Sequence, residues 1–317
     1  MAIKLSVSIL SGVLSVSAVA QQSSGPSPVS NAAMAWDGDT GEIVLYGGMG
    51  NRGVHADSTL WSWNGQRWQS LGDGAPGARS GAILAHDSRR HRLVLVGGQN
   101  AASAFGDTWE WDGERWIRQS ENGPGPRHMT NGAYDPLRGE LVLFGGYHLQ
   151  EKRLLADTWT WNGSRWQAVT GDGPSARAGH AMGFDPESGS IILIGGTDAE
   201  GRPHGDSWSW NGHAWTRLGA GPAIIPNSQL AAVPGGGMAT FGGWDGAHAV
   251  AALFRWQHAA WSRLGIEGGP EARMEASIGY DAARQKLVLF GGSRENGTKL
   301  ADVWEFDGTG WVDRTPR

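Results

Sequence analysis

Four arginines share one repeating position: Arg79, Arg127, Arg177 and Arg273 each stand eighteen residues ahead of a Gly-Gly pair. Guanidinium groups gathered in one place would draw a carboxylate or a phosphate, because their planar fork matches either anion. A second pattern offers them partners within the chain. Asp107, Asp157, Asp206 and Asp302 lie at another repeating position in the same four repeats. Thr59 and Ala252 replace the aspartate in the two repeats that lack the arginine, and Val29 stands at the arginine position of the first. Joint presence and joint absence point first to ion pairs, with a receptor for anions as the alternative.

Histidine is the other residue type able to do chemistry. His55, His128, His148, His180, His204 and His248 fall beside the arginines or in the polar stretches after the Gly-Gly pairs, whereas His86, His91, His213 and His258 do not. None forms an H-x-H ligand pair, so solvated loop side chains and a channel hydrogen-bonder or two are expected, and no metal site. Glu275 follows Arg273 by two residues, where other repeats hold Gly81, Met129 and Gly179. Strand alternation would turn it to the same side as Arg273, toward the axis. There it would pair with that arginine or, in an enzyme, act as general acid/base, with His128 and His180 moving protons.

A repeat of about forty-nine residues must position these groups. Gly-Gly pairs close short apolar runs at Gly47-Gly48, Gly97-Gly98, Gly145-Gly146, Gly195-Gly196, Gly242-Gly243 and Gly291-Gly292. The runs, such as Ile43-Val44-Leu45-Tyr46, are bulky, β-branched and short, which suits a strand buried on both faces. A W-x-W-(N/D)-G-x-x-W pattern follows, as in Trp159, Trp161, Asn162, Gly163 and Trp166. Asn-Gly and Asp-Gly are two-residue hairpin turns, because both central positions need positive φ. Each unit therefore reads as four strands, a to d, with the double glycine ending b and the hairpin joining c to d. Three aromatic slots in each of six units hold sixteen tryptophans, Phe254 and Phe306. Rings at that spacing are expected to be core between neighbouring sheets. Only Trp36 and Trp244 lie outside the slots, and a ligand role falls chiefly to Trp244.

Six double glycines in register with the aromatic slots make the chain resemble the kelch repeat, over roughly Ser30 to Arg314. The resemblance implies an all-β fold: a six-bladed kelch-type β-propeller with four antiparallel strands per blade. The blades would span about 30–72, 79–120, 127–170, 177–219, 226–265 and 273–314 of a single propeller, 30–317. The fifth unit departs most, with a shortened a–b turn, Phe254 in the first slot and Gln257-His258 in place of Asn-Gly. No spare strand is visible to lock the ring, so closure should rest on side-chain packing between blades one and six.

If strand direction alternates, the d–a and b–c connections share one face, and the a–b and c–d turns share the other. The b–c loops (49–57, 99–107, 147–157, 197–206, 244–252 and 293–302) differ most in content, and binding is expected on their face. The candidate ligand-binding residues there are Arg79, Arg127, Arg177, Arg273, Tyr147, Trp244, His55, His148, His204 and His248.

Residues 1–20 read as a signal peptide, with Ala18-Val19-Ala20 as the small-x-small cleavage form and 21–29 as a short linker. A secreted or periplasmic protein is expected. No other segment could insert in a membrane. With 26 basic against 31 acidic residues there is no basic face for nucleic acid. The chain has no cysteine, which excludes disulfides and thiolate chemistry. It also prevents carry-over of the copper centre of some kelch proteins, which needs a tyrosine cross-linked to cysteine. Binding of a small molecule or carbohydrate by a monomer without cofactor is the leading expectation. The alternatives are a cofactor-independent isomerase, mutarotase or cyclase acting in the channel mouth, since exported kelch proteins include a sugar-acid mutarotase, and a scaffold for a protein partner.

Overall fold

The apolar runs ahead of the double glycines pair on both sides, as strands with two buried faces must. In the computed structural model, which describes residues 25–54, 58–120, 122–265 and 267–316, they are the second strands of six four-stranded antiparallel sheets. The expected signal peptide and His55 lie outside the described residues.

From the axis outward, blade one comprises Ala33–Asp37, Glu42–Tyr46, Leu60–Trp63 and Trp68–Gly72. Blade two comprises Ile83–Asp87, Arg92–Val96, Thr108–Trp111 and Trp116–Ser120. Blade three comprises Asn131–Asp135, Glu140–His148, Arg153–Trp161 and Trp166–Val169. Blade four comprises Ala178–Asp185, Ser190–Thr197, Asp206–Trp210 and Trp215–Ala220. Blade five comprises Ala231–Ala232, Met238–Phe241, Leu253–Gln257 and Ala260–Leu264. Blade six comprises Ser277–Asp281, Lys286–Phe290, Val303–Phe306 and Trp311–Asp313.

Six apolar clusters, each straddling two neighbouring blades, make the ring. Trp161 packs on Ile83, Val94 and Val96 of blade two, and Trp210 on Val142 and Phe144 of blade three. Trp61, Trp63 and Trp68 pack on Val288, Phe290 and Val303 of blade six, so the circle closes. The second-slot rings are the deepest: Trp63, Trp161 and Trp210 are at most 1% exposed. Each ring removes some 150–250 Å² from water, and the clusters lie between sheets, so the blades stabilise one another.

The double glycine is explained by the neighbouring blade. The second glycine donates its N–H to a carbonyl at the start of the next blade: Gly48 to Arg79, Gly146 to Arg177, Gly196 to Ile224, Gly243 to Arg273 and Gly292 to Val29. Gly145 and Gly146 have φ of 57° and 99°, a conformation side chains rarely adopt. A Cβ on Gly145 would also stand 2.8 Å from the Arg177 carbonyl oxygen.

Closure therefore involves more than side-chain packing. The Gly292–Val29 bond completes the backbone set, Ser30 donates to Glu275, and Trp63 Nε1 donates to Glu305 of blade six at 3.2 Å.

Candidate functional site

The four arginines lie within the blades, 0–2% exposed. Arg177 Nη1 and Nη2 donate to the two carboxylate oxygens of Asp206 at 2.7 and 3.1 Å, and Nη1 also donates to the Gly195 carbonyl. Trp208 Nε1 donates to the same carboxylate at 2.7 Å. Arg79 with Asp107, Arg127 with Asp157 and Arg273 with Asp302 repeat this network. Burial alone would raise the Asp206 carboxyl, but the bonds from Arg177 and Trp208 hold it at about 2. The guanidinium groups join the base of strand a to strands b and c, and their charge is spent there rather than on an anion.

Glu275 does not face Arg273. Its φ of 60° breaks strand alternation, and its carboxylate takes a bond from Ser30 Oγ at 2.7 Å with Lys299 Nζ at 3.6 Å. His180 is fully buried, with neither ring nitrogen partnered among the described residues. Burial, with the nearby Arg177 charge adding to it, lowers its pKa to about 3, so the ring is neutral. Among the described residues no hydrogen bond joins Glu275, His128 and His180: Glu275 is bonded to Ser30, and His180 is sealed from solvent.

On the loop face, His128 and Tyr147 meet edge-to-face at 5.4 Å. Burial lowers the pKa of His128 and of His204. His148 Nδ1 accepts the Glu151 N–H, His248 lies exposed near Glu295, and half-buried Trp244 bridges to Ile225 and Ala249 through its backbone. Tyr147 and His148 share one loop, Trp244 and His248 another, and His204 lies on a third. The space beneath them, lined by Asn31, Met129 and Asn227 among others, is only about 40 Å³, room for a few waters.

The reason is the fifth blade. Gln229 reaches across the axis and donates from Nε2 to the Leu84 carbonyl of blade two at 3.1 Å. Asn131 of blade three donates to the Ser228 carbonyl at 2.6 Å, and Leu230 N–H to Met182 of blade four. Gly183 permits this approach, since a Cβ there would collide with the Leu230 carbonyl. Gln229 thus closes the channel and forms the floor of a second cavity that opens on the opposite, a–b turn face.

That second cavity has a volume of about 350 Å³. Its rim carries Trp36, His86, Tyr134, Phe184 and Tyr280, one from each of five blades, at the residue before the aspartate that ends strand a. Blade five puts Ala232 there and leaves a gap. Small apolar residues such as Ala35, Ala85 and Ala133 line the wall, which includes neither lysine nor arginine among the described residues. Tyr134 is held in place by its hydroxyl, which donates to Asp87 at 2.6 Å; burial first, then that carboxylate, push its pKa up to about 12. Of this rim, sequence reasoning set aside only Trp36, and as the lesser candidate. The signal was present as a once-per-repeat ring before Asp37, Asp87, Asp135, Asp185 and Asp281.

No family model matches the chain, and no curated protein matches it. Among solved structures, the one described as "Structure of YjhT" superposes with a TM-score of 0.71 at 13% identity, covering 92% of this chain and 98% of that one. The fold is a six-bladed β-propeller. At that identity the likeness extends to the fold alone. The exposed large apolar side chains Val54, Leu137, Leu149, Leu218 and Val312 are scattered over different loops and edges.

Proposed function

We propose that this chain is an exported kelch-type propeller that binds a small, uncharged, ring-shaped ligand without changing it chemically. The reading rests on one observation: five aromatic side chains from five blades surround a blind cavity of about 350 Å³ on the a–b turn face. Aromatic faces on a rigid ring offer stacking area at low entropic cost, and a mostly apolar wall favours a flat ligand with few polar edges. Gln229 at the floor, with Ser88 and His86 near the rim, supplies the hydrogen bonds that would orient it. The other mouth is preferred to the loop face because the loop-side space is only about 40 Å³ against about 350 Å³ here.

A thermal-shift screen checks this with neutral sugars, sugar acids and uncharged aromatic compounds. A ligand at a hundredfold its dissociation constant adds about 2.7 kcal/mol, roughly 5 °C or more for a domain of this size. Neutral rings should raise the melting temperature and sugar acids should not, and Trp36→Ala with Tyr280→Ala should abolish the gain. No shift from any compound, or one that survives both substitutions, refutes binding in this cavity.

A further inference from the structure

We propose that Asp37, Asp39 and His86 form a site for a divalent transition metal, Zn²⁺ fitting best, at the junction of blades one and two. His86 Nε2 lies 3.1 Å from Asp39 Oδ2 and 3.6 Å from Asp37 Oδ1, and donor atoms of all three residues lie within 4.8 Å of one another. A tetrahedral ion with bonds of about 2.0–2.1 Å sets its donors about 3.3–3.4 Å apart. The two separations from His86 Nε2 fall either side of that value, and the Asp37 and Asp39 oxygens lie within 4.8 Å of each other, so an ion can take the place between them with side-chain adjustment. One imidazole with two carboxylates suits Zn²⁺ rather than Mg²⁺ or Ca²⁺, which prefer oxygen throughout.

The other repeats serve as an internal control. Blades two, three and six neutralise the equivalent buried aspartate with an arginine three residues on: Asp87 with Arg90, Asp135 with Arg138 and Asp281 with Arg284, all at 2.6–2.7 Å. Blade one has Thr40 and blade four Ser188 at that position, so Asp37 and Asp185 both lack the arginine; Asp185 accepts Trp256 Nε1 at 3.2 Å instead, whereas Asp37, its side chain only 8% exposed, has His86 Nε2 3.6 Å away. Asp37 Oδ1 accepts the Asp39 N–H and Oδ2 accepts the Thr40 hydroxyl, each at 3.0 Å, and each oxygen keeps a lone pair for a metal.

His86 stands where blades one, three, four and six hold Trp36, Tyr134, Phe184 and Tyr280, and Asp39 stands where blades two, three, four and six hold Arg89, Leu137, Glu187 and Ala283. His91 stands where blades one, three, four and six hold Gly41, Gly139, Gly189 and Gln285, and hydrogen-bonds Asp39 Oδ1 at 2.5 Å. This is the outer contact that orients a ligating carboxylate. Departures at four repeat positions meet at one point. The clasp of Glu187 with His258 elsewhere on this face needs only one histidine and one carboxylate.

Untagged full-length protein, stripped with chelator, is titrated with Zn²⁺ by calorimetry and then dialysed for metal analysis. One equivalent should bind in the micromolar range or tighter, and Mg²⁺ should not compete. His86→Ala and Asp39→Asn should each weaken binding at least a hundredfold, and His91→Ala by about 10–100-fold. Circular dichroism confirms that each variant is folded, and His213→Ala, far from the cluster, should leave binding unchanged. Absence of Zn²⁺ binding would reduce the cluster to an ion-pair clasp, and binding unaffected by the three substitutions would place the ion elsewhere. Either result overturns the proposal.

Discussion

Arg177→Met is expected to destabilise the fold by about 3–5 kcal/mol, because it leaves the Asp206 carboxylate half-enclosed without its cation. The loss is not the net worth of the pair. Taking two charges out of water costs nearly what their attraction returns, so removing both should cost much less. The chain already contains that experiment: blade one has Val29 with Thr59, and blade five has Ala252 with no arginine, and both blades form. Arg177→Met combined with Asp206→Ala should therefore recover most of the single-variant loss. Urea unfolding of the parent, both single variants and the double variant completes the cycle. A single-variant loss under about 1 kcal/mol would show that these networks are not what ties the strand bases together.

The same network sets part of the acid response. The Asp206 carboxyl is held at about 2 in the fold against an ordinary 3.8, so its contribution is complete above the ordinary value. It is lost as pH falls through 3.8 toward 2.

Acid should begin to destabilise the protein well above that range, through His180. Its folded pKa of about 3 lies below the ordinary 6.5, so between these values the unfolded chain holds a proton that the folded one excludes. Stability is thus complete above about pH 6.5 and falls as pH drops toward 3. The slope is on the order of 1 kcal/mol per pH unit, and the limit about 4–5 kcal/mol. His128 and His204 are shifted in the same direction and add to it.

Between pH 6.5 and 5 carboxylates contribute little, so histidines dominate the slope there. His180→Phe keeps an aromatic ring against Phe144, which the imidazole meets edge-on at 5.6 Å, and removes two nitrogens that have no partner among the described residues. The variant should match or exceed the parent at pH 7.5 and lose less on acidification, as followed by urea midpoints at each pH. Parallel curves for the two proteins would remove His180 as the cause.

Local chemistry alone was enough to read the blades. Asn-Gly turns, β-branched runs and double glycines act over a few residues, so strands b, c and d could be placed from neighbours in the chain. The pairing of Arg79, Arg127, Arg177 and Arg273 with four aspartates was legible because the two residue types are present together in four repeats and absent together in the other two. Glu275 was not legible: one residue with φ of 60° reverses the side a strand rule assigns. Gln229 was not either, because its partner Leu84 lies 145 residues away, across the axis rather than along a sheet.

Repeat number, strand register, the turn chemistry and the stripe of indoles between blades followed from the sequence by itself, because each depends on contacts within one repeat or on a pattern copied six times. Which mouth of the channel stays open, and which side chains reach each other around it, was decided only by the tertiary structure. Those features depend on how far one irregular blade moves inward and on groups some fifty residues apart meeting at a blade junction, as Asp39 and His86 do. Nothing within a single repeat encodes either distance.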